Sequence, residues 1–225
     1  MVISANNATG VLGGTFDPIH TGHLRLAWEA KSRLGLDFVR LVPCHLPPHR
    51  ESPDSSAKHR LTMAELACIG VPGFEVDNWE ILRNEPSYSV NTLLHIRDQI
   101  GENAPLVFIM GMDAFNQFCS WEEWQTILQL AHLWVAHRPG SKMPEDDTTE
   151  HQLLQQLSRT PDDLLATPAG HICVHETTAL DISATKLRQQ ISEGITPRFL
   201  LPDAVWAYIQ QNKLYGYRND NGNND

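Results

Sequence analysis

Short apolar runs alternate with amphipathic segments along the chain, and this alternation predicts strands separated by helices. The runs at 38–42 and 106–110 are rich in apolar and β-branched residues. They are too short for helices, so each is typical of a buried parallel strand. Residues 24–34 instead place apolar side chains at helical spacing, and Gly35 follows where a C-cap glycine belongs. Strand, helix and strand in this order predict a right-handed βαβ crossover.

The remaining elements extend this pattern over the whole chain. Further strands are expected at 11–12, 74–81, 133–136 and 172–174, and further helices at 58–69, 86–100, 121–128, 183–191 and 204–209. We therefore predict an α/β fold: a single-domain, Rossmann-like, doubly wound parallel sheet with helices on both faces. The domain is expected to span 1–217, with 140–170 as a surface insertion and 218–225 as a disordered tail.

Local patterns within these elements predict which side chains face outward and which cap a helix. The acidic residues of the strand at 74–81, Glu80 among them, are expected to face outward. Ser87 or Ser89 is expected to cap the helix that follows. The apolar side of the helix at 58–69 is expected to carry Leu61, Ala64, Leu66 and Cys68.

The composition is that of an ordinary globular protein with an acidic balance. Of the 225 residues, 41% are hydrophobic and 20% are charged, and the formal net charge is −10. This negative charge argues against a nucleic-acid partner, because binding to a phosphate backbone requires a surplus of Lys and Arg. A small polyanionic ligand must therefore be held by local positive groups.

Neither the cysteines nor the apolar runs indicate an oxidising compartment or a membrane. No signal-peptide pattern occupies the first ten residues, and no run reaches the roughly 18 apolar residues of a membrane span. We therefore expect a soluble, cytoplasmic protein with no membrane partner; the patterns do not specify an oligomeric state. Four cysteines without a CxxC pair are expected to be buried free thiols of a reducing cytosol: Cys44, Cys68, Cys119 and Cys173.

The candidate chemistry centres on the run GGTFDPIHTGH at residues 13–23, between the first strand and the first helix. Its paired glycines let the backbone approach a ligand closely, and the helix beginning near Gly22 points free N–H groups at an anion. His20 and His23 would offer donors to phosphoryl oxygens at the same place. The Walker A lysine and the third glycine of the dinucleotide fingerprint are missing, and zinc would need more ligands than this run supplies.

A second group of positive side chains lies in and just after the proline-rich loop at 43–57. Loops of this length inside a compact domain usually have a function. The composition fits either a phosphate-facing loop or a solvated surface loop. The group consists of His45, His49, Arg50, Lys58, His59 and Arg60.

The run at 13–23 resembles the signature of the nucleotidyltransferase superfamily, whose His-x-Gly-His tetrad binds the phosphates of a nucleoside triphosphate. The run ISATKLR at 182–188 resembles the second motif of the same superfamily, ISSTxIR. Further matches extend the resemblance over nearly the whole chain and narrow it to the bacterial nicotinate-nucleotide adenylyltransferase family: PPHR at 47–50, PSYS at 86–89, GMD at 111–113, Trp121 and RPG at 138–140.

The resemblance implies transfer of the adenylyl group of ATP, complexed with Mg²⁺, to nicotinate mononucleotide in NAD biosynthesis. The acceptor phosphate would attack the α-phosphorus in line, without a covalent intermediate and without a protein metal site. The implied catalytic residues are His20, His23 and Arg188. The implied ATP- and phosphate-binding residues are Gly13, Gly14, Thr15, Phe16, Gly111, Asp113, Ser183 and Thr185. The implied acceptor-binding residues are His49, Arg50, Tyr88, Ser89, Trp121 and Arg138, with His49 and Arg50 favoured in the loop at 43–57.

Several alternatives stay open on the residues alone. The acceptor can be phosphopantetheine, a cytidylyl acceptor or nicotinamide mononucleotide. The chain can also be a nucleotide-binding protein without catalysis, although both motifs keep their histidines and arginine. Asp113 can bind ribose or cap the next helix, and Trp121 can stack on the pyridine ring or fill the core. Glu122 stands where the family pattern leads us to expect an aromatic residue.

Overall fold

A computed structural model describes residues 8–46, 52–83, 85–138, 140–178 and 180–218. Its centre is a six-stranded sheet whose strand pairings are all parallel. In chain order the strands are β1 (Thr9–Gly14), β2 (Phe38–Pro43), β3 (Phe74–Val76), β4 (Leu106–Gly111), β5 (His132–His137) and β6 (Ile172–Glu176). Their order across the sheet is β3-β2-β1-β4-β5-β6. The predicted Rossmann-like α/β class is confirmed.

Helices cover both faces of this sheet. In chain order they are α1 (Thr21–Leu34), α2 (Ala57–Cys68), α3 (Trp79–Arg83), α4 (Ser89–Ile100), α5 (Met112–Phe115), α6 (Trp124–Leu130), α7 (Thr149–Leu157), α8 (Pro161–Leu164), α9 (Ala184–Ser192) and α10 (Asp203–Gln211). Helices α1, α2, α8, α9 and α10 pack on one face, and α4, α5, α6 and α7 on the other. The sheet is therefore doubly wound, as predicted. None of the helices in the described ranges is long and apolar enough to cross a membrane.

The strand β4 shows why its sequence is apolar throughout. Val107 and Ile109 belong to the hydrophobic cluster on one face of the sheet, and Phe108 and Met110 to the cluster on the other. Successive side chains of a strand point to opposite faces, so a strand covered on both faces has no position left for a polar residue.

A crevice forms where β1 and β4 lie side by side. From β1 the chain continues toward β2 on one side, whereas β4 leads to β5 on the other side. The helices that follow the two strands leave on opposite faces, and α/β proteins bind ligands at such a switch point. In this protein the crevice lies at Gly14 and Gly111, the last residues of the two strands.

The predicted strand at 74–81 is wrong in its second half. The structure ends β3 at Val76 and forms α3 from Trp79. The Asp77 carboxylate accepts a hydrogen bond from Trp79 N at 2.9 Å, which supports the first turn of the helix. Glu80 is consequently buried, with 8% of its surface exposed, where the predicted strand would have pointed it outward.

Helices α4 and α6 both begin later than predicted. Tyr88 is the N-cap of α4, so the prediction of Ser87 or Ser89 as the cap is wrong. The Ser87 hydroxyl instead accepts a hydrogen bond from His45 N at 2.9 Å. Trp121, the predicted first residue of α6, lies before the helix in an extended conformation.

Helix α2 buries Ala64 as predicted, and Leu66 and Cys68 pack against the same cluster while partly exposed, but the centre of the buried face differs from the prediction. Arg60, Met63, Ala64 and Ala67 are its buried residues. The chemistry of this buried arginine is part of the site described below. The four cysteines are free, as predicted, but only Cys44 and Cys173 are buried, while Cys68 and Cys119 are partly exposed.

The segment at 140–170, predicted as a surface insertion, carries α7 and α8 and packs against the sheet. Leu164 is fully buried in the cluster on the α1 face. Leu153 and Leu157 pack against the cluster on the opposite face. Of the predicted tail at 218–225, only Arg218 lies within the described residues.

Candidate active site

The loop between β1 and α1 is built around two glycines that other side chains approach closely. A Cβ on Gly14 would lie 2.8 Å from the ring of Phe16. A Cβ on Gly22 would lie 3.1 Å from Cε1 and Nδ1 of His20. Phe16 is buried and has a φ of 52°, so it fills the space that Gly14 leaves. Gly13, the residue before Gly14, is exposed, and with no side chain of its own it lets the backbone be approached closely.

His20 and His23 form a stacked pair at the beginning of α1. Their ring centroids are 3.7 Å apart with an interplanar angle of 22°. His23 Nδ1 accepts a hydrogen bond from His20 N at 3.3 Å. The proton of a neutral His23 ring therefore lies on Nε2, which makes this nitrogen a donor.

Burial keeps His20 neutral at physiological pH. Only 5% of its surface is exposed, and its Nδ1 is buried without a hydrogen-bond partner in the part of the chain that the structure describes. Desolvation, with a smaller contribution from the charge of Arg138, lowers the pKa of His20 to about 4. A neutral imidazole at this position provides one N–H donor and no positive charge.

The second motif meets the first at the beginning of α9. The Cβ built on Gly22 would lie 3.7 Å from Cβ of Ile182, immediately before α9. Arg188 Nη1 donates to Asp17 O at 2.8 Å, across a separation of 171 residues. Ser183 is the N-cap of α9 and makes no side-chain cap bond, and Thr185 is exposed in the first turn. The structure thus brings together the predicted residues of both motifs.

Arg188 is held by an acidic side chain of the loop before α2. Its Nε forms an ion pair with Oδ2 of Asp54. Asp54 N in turn donates to Oδ2 of Asp17 at 2.7 Å. A phosphate group that binds Arg188 must therefore compete with the carboxylate of Asp54.

A cleft of about 270 Å³ opens beside the two motifs. It lies between Gly22 on α1, Arg138 after β5 and Thr178 after β6. The Glu29 carboxylate accepts hydrogen bonds from Thr178 N at 3.1 Å and from Arg25 Nε at 2.6 Å. These bonds fasten the segment after β6 to α1 and so define one wall of the cleft.

Gly111 and Asp113 stand at the carboxyl end of β4, as predicted. A Cβ on Gly111 would meet no atom within 4 Å, so the strand end faces open space. Asp113 is exposed within the first turn of α5, and Gly111 rather than Asp113 is the N-cap. The cap role that the sequence left open for Asp113 is therefore excluded, and its carboxylate is available at the crevice.

The predicted acceptor residues divide into two groups. Tyr88, Ser89 and Trp121 lie on the α4 face of the sheet, where the Trp121 ring packs edge-on against Phe108 at 6.1 Å. Arg138 lies instead beside the cleft at Gly22, close enough for its charge to lower the pKa of His20. The predicted contacts His49 and Arg50 lie outside the described residues.

Sequence analysis gave Asp17 no role beyond its place in the run at 13–23, whereas in the structure it is the centre of a hydrogen-bond network. Asp17 is 4% exposed, and its Oδ1 accepts hydrogen bonds from Ser55 Oγ at 2.5 Å and from Tyr215 Oη at 2.7 Å. Burial and the neighbouring Asp17 carboxylate raise the pKa of Tyr215, which stays a donor. This network ties the run at 13–23, the predicted phosphate loop, to the C-terminal part of the chain, and nothing in the local sequence indicates that partner.

Arg60 is a second residue whose role sequence analysis missed. It was grouped with the positive side chains in and after the loop at 43–57, for which the sequence left a phosphate-facing or a solvated position open, yet it is 1% exposed. Its Nη1 donates to Thr15 O at 2.8 Å, directly below the predicted phosphate loop. A charged residue on the same helix face as Met63, Ala64 and Ala67 is the signal that could have identified it.

Metal ligands do not cluster in the described part of the chain. No group of three or more His, Cys, Asp or Glu side chains there could hold a metal ion. The donors around His20 and Gly22 are imidazole and backbone N–H groups, which suit phosphate oxygens.

Comparison with known proteins relates the chain to a set of transferases. The sequence profile described as "Cytidylyltransferase-like" matches residues 11–190. A protein of Hahella chejuensis named "Probable nicotinate-nucleotide adenylyltransferase" is 45% identical over 207 residues, which are 92% of this chain and 94% of that protein. A protein of Cellvibrio japonicus with the same name is 46% identical over 206 residues, which are 92% of this chain and 97% of that protein.

Solved structures share the fold at much lower sequence identity. The nicotinic acid mononucleotide adenylyltransferase of Plasmodium falciparum complexed with NaAD aligns with a TM-score of 0.70 and 15% identity. The alignment covers 94% of this chain and 98% of that chain. The same enzyme complexed with APC aligns with a TM-score of 0.69 and 15% identity, over the same shares of the two chains. At this identity the likeness establishes the architecture.

Proposed function

The chain belongs to the cytidylyltransferase-like family and, within it, to the nicotinate-nucleotide adenylyltransferases, and from this premise we propose the reaction that its site performs. The protein transfers the adenylyl group of ATP to nicotinate mononucleotide. The products are nicotinate adenine dinucleotide and pyrophosphate, so the reaction belongs to NAD biosynthesis.

The convergence of two helix N-termini carries this proposal. The starts of helices α1 and α9 lie next to each other, since a Cβ on Gly22 in the first turn of α1 would lie 3.7 Å from Cβ of Ile182, just before the N-cap of α9. Each helix start carries a partial positive charge. In α1 the first-turn groups Thr21 N and His23 N already donate to Leu200 O and His20 O, each at 2.9 Å, so its dipole and the neighbouring side chains supply most of the attraction for an anion. His20, His23 and Arg188 add side-chain donors at the same place. A triphosphate is the ligand that such an arrangement fits, even in a chain with a formal net charge of −10.

The proposed mechanism needs no general base. The phosphate of the acceptor has a second pKa near 6, so it is largely a dianion at neutral pH and already a nucleophile. One of its oxygens forms a bond to the α-phosphorus of ATP, while the bond from that phosphorus to the bridging oxygen of pyrophosphate breaks. Catalysis then consists of alignment and of stabilising the negative charge.

We assign His20 and His23 to the α- and β-phosphates. The neutral ring of His20 supplies one N–H donor. In His23 the donor is Nε2, because Nδ1 already accepts a bond from His20 N. Thr15 and the loop backbone at Gly13 and Gly14 lie toward the attacking or bridging phosphate. These groups are held in place before the substrate arrives, so little reorganisation accompanies the reaction.

We assign the α9 residues to the leaving pyrophosphate. Ser183 and Thr185 offer hydroxyl groups at the helix start, and Arg188 offers a guanidinium group for the β- and γ-phosphates. Arg188 would exchange its ion pair with Asp54 for one with phosphate when ATP binds. Asp113 is the candidate partner of the ATP ribose at the end of β4.

The acceptor would occupy the α4 side of the crevice. Trp121 offers a ring for stacking on the pyridine, and Tyr88 and Ser89 offer hydroxyl groups for its carboxylate. Glu122 is exposed, so at this position a contact to the substrate would come from the backbone N–H rather than from an aromatic ring.

Mg²⁺ is the metal we expect to accompany ATP. The donors near the helix starts suit phosphate rather than Mg²⁺, so the ion would be held by ATP oxygens and water. When bound, the ion neutralises charge on the phosphates. The alignment of the phosphates falls to the protein groups named above.

The test is pyrophosphate release by the purified protein with ATP and Mg²⁺. Nicotinate mononucleotide, nicotinamide mononucleotide and phosphopantetheine are compared as acceptors. We expect turnover with a strong preference for nicotinate mononucleotide. Turnover with phosphopantetheine alone would overturn the acceptor, and no turnover with any of the three would favour a nucleotide-binding protein without catalysis.

A pair of histidine variants tests whether this site carries the activity. We expect His23→Ala to lower kcat/KM by about 100-fold or more with the fold retained, because one charge-stabilising donor is lost. His151→Ala is the control, since His151 lies on α7 on the opposite face from α1. A His23→Ala protein with wild-type turnover would remove this histidine from the mechanism.

A further inference from the structure

The side chain of Arg60 connects the two halves of the active site. We propose that it is a positioning residue. It fixes the phosphate loop, residues 13–23, relative to the acceptor-binding segment at 86–89. The proposal rests on the adenylyl transfer described above, since it assigns a further residue to that reaction. Arg60 itself is not expected to touch either substrate.

The guanidinium of Arg60 bonds to main-chain carbonyl groups of three separate segments. Its Nη1 donates to Thr15 O at 2.8 Å and to Cys44 O at 2.5 Å. Its Nη2 donates to His45 O at 3.0 Å, and its Nε to Ser55 O at 3.4 Å. The end of β1, the end of β2 and the segment before α2 are therefore held by one rigid, planar group.

No carboxylate in the described ranges forms an ion pair with Arg60. Burying an unpaired cation is costly, so a buried arginine is retained only where its hydrogen bonds are satisfied. Here the carbonyl groups satisfy it, and their spacing demands the fork of a guanidinium. An ammonium group of lysine carries the same charge but presents its donors from a single atom.

The segment that Arg60 holds also carries the start of the acceptor site. Ser87 N donates to Leu46 O at 3.0 Å, and His45 N donates to Ser87 Oγ at 2.9 Å. Leu46 and Pro86 form a parallel bridge. Tyr88 follows directly, so its position depends on the segment from Cys44 to Leu46.

These contacts form one continuous connection across the crevice. Thr15 lies on the phosphate side and Tyr88 on the acceptor side, and the path between them runs through Arg60, His45 and Ser87. In-line attack depends on the distance and angle between the two substrates. A misplacement of about 1 Å can lower such a rate by about 100-fold, even when each substrate still binds.

Arg97 provides a matched control within the same chain. It is also buried, with 9% of its surface exposed. Its Nη1 donates to Gly101 O at 2.9 Å and to Ala104 O at 2.6 Å, and its Nη2 donates to carbonyl groups of Leu130 and Pro168. Ala104 and Leu130 precede β4 and β5, so Arg97 fastens loops at the amino edge of the sheet, away from the crevice.

The test compares Arg60→Met with Arg97→Met in the full-length protein. Steady-state kinetics with ATP and nicotinate mononucleotide are measured at a temperature where circular dichroism shows that both variants are folded. We expect both to melt at lower temperature than the wild type. Arg60→Met should also lose about 30-fold or more in kcat, with each KM changed by less than about threefold, because binding survives and alignment does not. Arg97→Met should keep kcat within about twofold of the wild type.

Arg60→Lys separates the shape of the side chain from its charge. It keeps the positive charge but lacks the fork, so we expect kcat to stay about 10-fold below the wild type. Full recovery of kcat in Arg60→Lys would overturn the positioning role. Equal losses of kcat in Arg60→Met and Arg97→Met would overturn it as well, since both would then reflect stability alone.

Ser87→Ala tests the same connection if Arg60→Met does not fold. It removes the bond from His45 N and leaves the buried cation in place. We expect a kcat about 10-fold lower with little change in melting temperature, and an unchanged kcat would contradict the proposal. The wild-type rate distinguishes the failure of the proposed function from the failure of the positioning role. A wild type that is inactive with every acceptor overturns adenylyl transfer and, with it, the role of Arg60. An active wild type whose kcat does not change on substitution of Arg60 overturns only the role of Arg60.

Discussion

Replacement of Gly22 by alanine offers a sharp test of the site, because it should separate stability from activity. Gly22 lies in the first turn of α1, where its φ is not positive, so the backbone accepts an alanine. Alanine is favoured over glycine in a helix by about 1 kcal/mol. The new methyl group would, however, lie 3.1 Å from Cε1 and Nδ1 of His20, and 3.7 Å from Cβ of Ile182.

The size of the effect follows from how tightly His20 is held. An ordinary van der Waals contact for a Cβ starts at 3.4 Å, so the His20 ring must move by a few tenths of an ångström. The His20 ring cannot move alone, because its centroid lies 3.7 Å from that of the stacked His23 ring and only 5% of the surface of His20 is exposed. We expect the free energy of unfolding to change by less than about 1 kcal/mol, while kcat/KM for ATP falls by about 10-fold through misplacement of the donors.

The assay is pyrophosphate release at varied ATP together with urea unfolding of the same preparation. Ser32→Ala, an exposed position of the same helix, is the control, since it gains helix propensity without a clash. A Gly22→Ala protein with the wild-type kcat/KM would refute the argument that His20 must be placed to a fraction of an ångström. A large loss of stability would refute it as well, because the methyl group would then disturb the helix rather than the ring.

Three further predictions follow from contacts around the site and the core. Asp54→Asn should lower the KM for ATP by about two- to fivefold, because it removes the surface ion pair that competes with phosphate for Arg188. Such a pair is worth at most about 1 kcal/mol. An unchanged or raised KM in steady-state kinetics would contradict this. Tyr215→Phe should lower the free energy of unfolding in urea by about 1–3 kcal/mol, because it removes a partly buried hydrogen bond to the Asp17 carboxylate. If the variant unfolded at the same urea concentration as the wild type, the bond would not contribute to stability. Burial lowers the pKa of His132 from 6.5 in the unfolded chain to about 4 in the folded protein. Between pH 6.5 and pH 4 the unfolded chain therefore binds more protons than the folded protein, and the free energy of unfolding falls as the pH drops through this range. Between pH 7 and pH 5 the wild type should lose about 1–2 kcal/mol more than His132→Asn in urea unfolding, and equal losses would assign the acid sensitivity to other groups.

The sequence predicted the strands best where the chain is covered on both faces of the sheet. The run at 106–110 is apolar at every position because alternate residues enter different clusters. The prediction of one strand over 74–81 was wrong in its second half, since alternating apolar and polar residues fit both a strand and a short helix. The hydrogen bond from Trp79 N to Asp77 ended the strand there, and no periodicity argument contains that bond.

The two histidines of the proposed phosphate site could be predicted from the sequence because they belong to one short motif. His20 and His23 are three residues apart at a helix start, so local geometry alone places their rings together. The N-terminus of α9 was equally visible in the sequence, as a second motif ending in Arg188. What the motifs could not specify is the ion pair that occupies Arg188, because Asp54 comes from a proline-rich loop without periodicity.

The contacts of the residues that support the site could not be predicted from the sequence. Tyr215 reaches Asp17 across 198 residues, and Arg60 reaches Thr15 across 45. In the sequence, Arg60 was one of several positive residues near a loop, and Asp17 was one residue of the run at 13–23. Their buried positions depend on how α2 and the C-terminal segment pack against the sheet.

The sequence by itself determined the alternation of strands and helices, the two motifs at 13–23 and 182–188 and the membership of a transferase family, because each depends on neighbouring residues or on short fixed spacings. Only the tertiary structure decided which distant groups meet. A parallel sheet brings the carboxyl ends of strands that are far apart in the chain to one edge, so Thr15, Cys44 and Ser87 become neighbours there. Arg60 joins Thr15 to Cys44 and His45, and His45 in turn bonds to Ser87. The position of Arg60 depends on packing, which is a property of the assembled fold rather than of any local pattern.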